Sequence, residues 1–336
     1  MAMTARERLI AVLDGRPSDR PAVLCPGGMM SMAVAEVMAA CGAAWPQAHR
    51  EPQAMLALAL AMQEASGFDN VAMPFCMTVE AEAYGARVVF GSRTCHPRVT
   101  GGLLPPDGAG ALPAPDFSRG RAAALLAALR AARARRPDLA VVGNLVGPFS
   151  LLAMLADPLH VLRWTRRSPD AVHRHMIRIT EDLVAFARLQ AAAGIDVLCI
   201  ADPTATGEIL GGPLFRACAL PYLERIVSAV RADGVRVIVH ICGSAAAIER
   251  ELRELAVEAV SFDSVVDIVE VAGRRPPWAV MGNVSAFLLE KGPAQAVFQR
   301  CRRLVKGGVR LLAPACGIVP TTPVAHLLAM REAAEA

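Results

Sequence analysis

The chain has 336 residues, 35 of them Lys or Arg against 31 Asp or Glu, for a net charge of +4, and 54% are hydrophobic. Its longest unbroken apolar run, residues 54–62, is about half of the ~20 residues a membrane span needs, so the hydropathy is read as a packed core and no membrane partner is expected. The arginines are spread over predicted helices, as Arg130, Arg133, Arg135 and Arg136 are, without aromatic interleaving, which sets nucleic acid aside.

In chain order, Thr4 and Glu7 stand at capping-box spacing, and residues 1–20 read as an N-terminal helix and turn that cap the bottom of a larger fold. No apolar leader precedes them, which leads us to expect a cytoplasmic protein. Short runs rich in Val, Ile and Leu then recur at 22–25, 70–73, 140–145, 196–201, 235–241, 259–262, 279–281 and 309–313. Helical segments lie between them, at 52–66, 121–136, 169–193, 213–232 and 293–306, several opened by proline at a position where its missing N–H costs nothing. Eight strand and helix pairs predict a parallel sheet closed into a (β/α)8 TIM barrel, a single α/β domain over residues 1–336. No Gly-x-Gly-x-x-Gly turn follows the first strand to suggest a dinucleotide fold instead. The segment 86–116 breaks the alternation, and its Arg-Val-Val-Phe-Gly-Ser stretch predicts a small hairpin followed by a long Gly/Pro-rich loop.

Nine cysteines without an export signal are read as reduced thiols, free for packing, metal ligation or catalysis. His240-Ile241-Cys242-Gly243 ends the fifth predicted strand, and alternation puts His240 and Cys242 on one side of it. If that side is the barrel interior, an imidazole and a thiol converge at the mouth where barrel enzymes place their chemistry. Cys316, after the eighth strand, ends at the same mouth. His, Cys and Cys form a soft ligand set suited to zinc, and three protein ligands leave a fourth position for substrate. On spacing alone, a core histidine and two small core thiols are the favoured reading.

The wider pattern adds to this. Thr-Ala-Arg-Glu-Arg-Leu-Ile-Ala-Val-Leu-Asp-Gly-Arg-Pro-Ser-Asp-Arg-Pro over residues 4–21, His240-Ile241-Cys242-Gly243, Met281-Gly282-Asn283-Val284 and the tail opened by Cys316-Gly317-Ile318-Val319-Pro320 resemble the uroporphyrinogen decarboxylase superfamily. With Pro74-Phe75-Cys76-Met77-Thr78-Val79-Glu80-Ala81-Glu82 and Ala201-Asp202-Pro203-Thr204, the chain resembles the methylcobamide:coenzyme M methyltransferase branch. That resemblance implies zinc on His240, Cys242 and Cys316, a methylcobamide delivered by a corrinoid carrier protein, and a small thiol such as coenzyme M as methyl acceptor. Porphyrinogen decarboxylation is the alternative; it fits less well, because an apolar loop, Cys25-Pro26-Gly27-Gly28-Met29-Met30, stands where that enzyme carries carboxylate-reading arginines. Met29, Met30 and Asn283 are expected to face the corrinoid. Asp202 and Glu82 are expected to act in catalysis, as partners of the zinc histidine or as acceptors of the thiol proton. Homocysteine and tetrahydrofolate remain open as acceptors.

Overall fold

The computed structural model describes residues 3–336. Each predicted strand run becomes a short parallel strand: β1 (Ala22–Val23), β2 (Asn70–Ala72), β5 (Ala140–Val146), β6 (Val197–Ala201), β7 (Arg236–Ile241), β8 (Ala259–Phe262), β9 (Ala279–Val284) and β10 (Leu311–Pro314). They form one sheet in the order β1-β10-β9-β8-β7-β6-β5-β2, which curls into a barrel. The strands are apolar throughout because both faces are covered. Outward residues such as Val23, Val71, Val141, Leu198 and Val237 pack under the helices.

The inward residues, among them Leu24, Val142, Val197, Cys199, Ile238 and Leu311, form a separate cluster that also takes in Leu9, Val12 and Leu13 of the first helix, Ala5–Leu13. That helix therefore plugs the barrel bottom, as expected. Its Thr4/Glu7 capping box is formed. Arg8 and Arg20 converge on buried Asp69, at 2.8 and 2.7 Å, and the other Asp69 oxygen accepts from the Val23 amide.

The seam between β1 and β2 is closed largely by side chains. Asp69 N–H donates to Val23 O, while the Asn70 carboxamide both accepts from Cys25 N–H and donates to Cys25 O, standing in for the missing peptide rungs.

One predicted helix is corrected. The stretch 213–232 is two helices, Gly211–Cys218 and Leu220–Ala232, because Pro221 cannot donate to the preceding turn and the chain re-enters at Leu220. The predicted hairpin is present as β3 (Arg87–Val89) against β4 (Arg98–Thr100). Its following loop is fastened to the barrel mouth, since Leu103 and Leu104 N–H both donate to Leu155 O. Gly102 lies so close to Ala156 that a Cβ would meet the carbonyl oxygen. No helix among the described residues is long and apolar enough to cross a membrane.

Candidate metal centre

β7 carries His240 into the barrel interior, one register step from Ala201 on β6 and Ser261 on β8. Cys242 follows just beyond the strand, and Cys316 comes off the end of β10. His240 Nε2 is 3.3 Å from Cys242 Sγ, and the donor atoms of His240, Cys242 and Cys316 all lie within 4.8 Å of one another. Donors around a tetrahedral zinc stand about 3.5–3.8 Å apart, given bonds near 2.0–2.3 Å, so the set fits that ion with a closure of about 1 Å. The histidine is fully buried and the two cysteines are partly open. The Cys316 thiol is drawn down to about 4, first by its hydrogen bond with Cys242 and further by His240, against the opposing effect of burial. Cys242 is raised by the same hydrogen bond and by burial.

The second nitrogen of His240 has a partner that sequence reasoning missed. Nδ1 lies 3.0 Å from Ser261 Oγ, whose own hydroxyl points at Met30 Sδ, 3.6 Å away. A thioether only accepts, so the Ser261 oxygen is left to accept from Nδ1–H, and Nε2 presents its lone pair towards the two sulfurs. The signal was a lone serine in an apolar strand, legible only once β7 and β8 are set in register.

The other expected site residues fall elsewhere. Asp202 is fully buried, but its carboxylate accepts from Phe149 N–H, Ser150 N–H and Ser150 Oγ at 3.2, 2.8 and 2.5 Å. It therefore caps the helix Pro148–Leu155, and Gly147 is required because a Cβ there would strike it. Glu82 is held by buried Arg121 at 2.6 Å, and Arg121 also binds Thr78 and the Cys76 sulfur. Neither carboxylate partners the histidine.

Met30 is buried in the barrel and cannot meet a corrin ring. Asn283, also buried, donates to the Asp263 and Val266 carbonyls and accepts from Arg300. It fastens the loop after β8 instead of facing a ligand. Met29 alone of the three reaches the site, with Sδ 3.8 Å from Cys242 Sγ, and it borders a cavity of about 530 Å³. It is presented by a turn in which Gly28 has φ +60° and leaves no room for a Cβ beside Asn144.

The uroporphyrinogen decarboxylase family model matches residues 4–336. The chain belongs to that family. It is 33% identical to the methylcobamide:CoM methyltransferase MtaA of Methanosarcina barkeri, over 97% of this chain and 96% of the relative. It is 30% identical to the methylcobamide:CoM methyltransferase MtbA of Methanosarcina acetivorans, over 99% and 98%. Among solved structures, a methyltransferase from Methanosarcina mazei superposes with a TM-score of 0.93 at 31% identity, covering 99% of this chain and 98% of the other. The fold read from the strand pattern is thereby matched, and so is the branch suggested by the motifs.

Proposed function

We propose that the chain, read as one barrel domain over 1–336, is a zinc-dependent methyltransferase that moves a methyl group from a methylcobamide on a corrinoid carrier protein to a small thiol such as coenzyme M. The observation that carries the reading is the convergence of His240, Cys242 and Cys316 at the barrel mouth, with donor atoms within 4.8 Å. The names borne by full-length relatives supply the donor and acceptor classes. A zinc ion held by these three residues would supply a Lewis acid that keeps an acceptor sulfur deprotonated at neutral pH.

The chain's own residues do the positioning. Ser261 and Met30 hold the imidazole in the tautomer that offers Nε2 to a metal, and Cys242 and Cys316 would hold the zinc as thiolates beside it. Met29 stands beside Cys242, where an incoming thiol must pass. The acceptor's sulfur attacks the methyl carbon, the S–C bond forms as the C–Co bond breaks, and the electron pair leaves on cob(I)amide. The thiol's proton is released to solvent.

The test is metal content together with turnover. Purified protein should hold about one zinc per chain and demethylate methylcobalamin anaerobically in the presence of a thiol, with a shift to the cob(I)alamin spectrum. Cys242→Ala and Cys316→Ala should lose zinc and turnover while keeping the parent's circular dichroism, because the site lies outside the packed core. Full turnover in protein stripped of zinc would falsify the reading. Carbon dioxide release from uroporphyrinogen would replace it with the decarboxylase.

A further inference from the structure

A second cavity, of about 930 Å³, opens at the bottom of the barrel, where β8, β9 and β10 begin. It is walled by the turn after the first helix, by the segment 275–278 that leads into β9, and by the residues just before β8 and β10. Its floor is apolar, since Val12, Leu13, Trp278 and Val280 are buried there. The Trp278 indole N–H is spent on Leu252 O at 3.1 Å, so the ring adds only apolar surface.

Four exposed arginines stand on the wall: Arg16, Arg231, Arg275 and Arg310. Two of them have partners that explain them. Arg16 donates to Asp14 at 3.0 Å, beside Arg236, which holds both oxygens of the same carboxylate. Arg231 donates to Glu258 at 2.9 Å and closes the last turn of the helix Leu220–Ala232, whose carbonyl end favours a cation. The other two have no such account. Arg310 reaches only the oxygens of Ser18, and the Arg275 side chain makes no hydrogen bond or ion pair among the described residues. Every oxygen of Asp14 and Glu258 is already taken, the last by the Val237 N–H. Counting Arg236, five guanidinium groups meet two carboxylates, a net charge of +3 against +4 for the whole chain. Cations crowded round one hollow repel each other unless an anion enters. Arg275 is also the one non-glycine among the described residues with φ in the left-handed region, at +48°. Pro276 behind it disfavours the ordinary helical region, and the outcome is a guanidinium on the cavity wall.

We infer that this cavity is an anion site, separate from the barrel mouth, that takes a small polyphosphate-bearing ligand, with Arg275 and Arg310 binding the phosphates. Guanidinium groups suit phosphate because each can offer two parallel N–H groups to its oxygens. Arg16 and Arg231 keep their carboxylates and add to the attracting field. The volume falls in the range of small-molecule sites and leaves room for a nucleoside beside the phosphates, its ring on the apolar floor. The site lies at the opposite ends of the strands from His240, Cys242 and Cys316, so it does not depend on what those three residues bind.

The probes are ATP and inorganic triphosphate, titrated separately into the intact protein by calorimetry at low salt. At least one should bind, and more weakly as salt is raised. Arg275→Ala and Arg310→Ala should each weaken that binding about tenfold, the loss of one charge-assisted contact at an open site, and Arg275→Lys should recover part of it. Arg130→Ala removes an exposed guanidinium from the helix Gly120–Arg135 and should leave the affinity unchanged, which controls for net charge. Cys316→Ala should also bind as the parent does, which separates the site from any metal at the mouth. Tighter binding of ATP assigns the apolar floor to a nucleoside, whereas equal or tighter binding of triphosphate assigns the site to the phosphate chain alone. The site is overturned if neither probe binds, if Arg275→Ala and Arg310→Ala bind as the parent does or no worse than Arg130→Ala, or if binding disappears in Cys316→Ala.

Discussion

The imidazole of His240 has two nitrogens, and each is met by a different kind of group: sulfur at Nε2 and the Ser261 hydroxyl at Nδ1. The hydroxyl sets both the ring rotamer and the tautomer, the work expected of Asp202 from the sequence. Ser261→Ala should therefore weaken zinc about 10- to 100-fold in a chelator competition, with the fold retained, since one buried oxygen is removed. Asp202→Ala should behave differently. It strips three hydrogen bonds from the start of the helix Pro148–Leu155 and should cost about 1–3 kcal/mol in urea unfolding, with zinc affinity unchanged. The opposite pattern in the two variants would return Asp202 to the metal.

At the level of elements, the helix Val79–Ala83 is tied to the end of β5 by one buried carboxyl, Glu80, whose Oε1 accepts from Val146 N–H at 2.9 Å. Burial pushes its pKa from 4.5 up to about 7, against the lowering effect of that hydrogen bond. The native state therefore keeps a proton that the unfolded chain has lost between pH 4.5 and 7. Stability should fall across that window as pH rises and level off above it, by an amount on the order of 3 kcal/mol from this group. Glu80→Gln keeps an oxygen for Val146 and carries no charge. Its unfolding free energy in urea should decline less across that window, buried Asp202 still contributing, and exceed the parent's at pH 8. Parallel profiles for the two proteins would show that Glu80 does not titrate in this window.

For the molecule as a whole, the barrel bottom hangs on Asp69, which joins Arg8 of the first helix and Arg20 of the following turn to the start of β2. This gives a physical reason for two of the four arginines in the N-terminal motif: Arg8 and Arg20 are clamps on the barrel seam. Asp69→Ala leaves the Arg20 guanidinium without its carboxylate, while Arg8 keeps Asp19, and should cost about 3 kcal/mol in denaturant unfolding. Zinc content of the protein that remains folded should not change, because the proposed zinc ligands His240, Cys242 and Cys316 lie at the opposite ends of the strands. A stability loss under 1 kcal/mol would reduce the cluster to a surface ion pair.

The eight strands, the plugging helix and the hairpin were legible in the chain, because apolar periodicity and local spacing suffice to place them; the His240/Cys242/Cys316 set was singled out only with the family resemblance, since spacing alone left core residues as an open reading. His240 and Cys242 alternate on one strand, and Cys316 ends a neighbouring part of the same mouth. What could not be read was which polar neighbour each group would choose. Asp202 and Ser261 both stand beside β7 in the barrel, and strand order and register decided that the serine meets the imidazole while the aspartate turns to a helix N-terminus. Met29 and Met30 are adjacent in sequence, yet the turn at Gly28 sends one to the mouth cavity beside Cys242 and the other into the barrel. Periodicity is a property of neighbours along the chain, whereas these choices depend on distances between segments tens to hundreds of residues apart, which the closed barrel alone brings together.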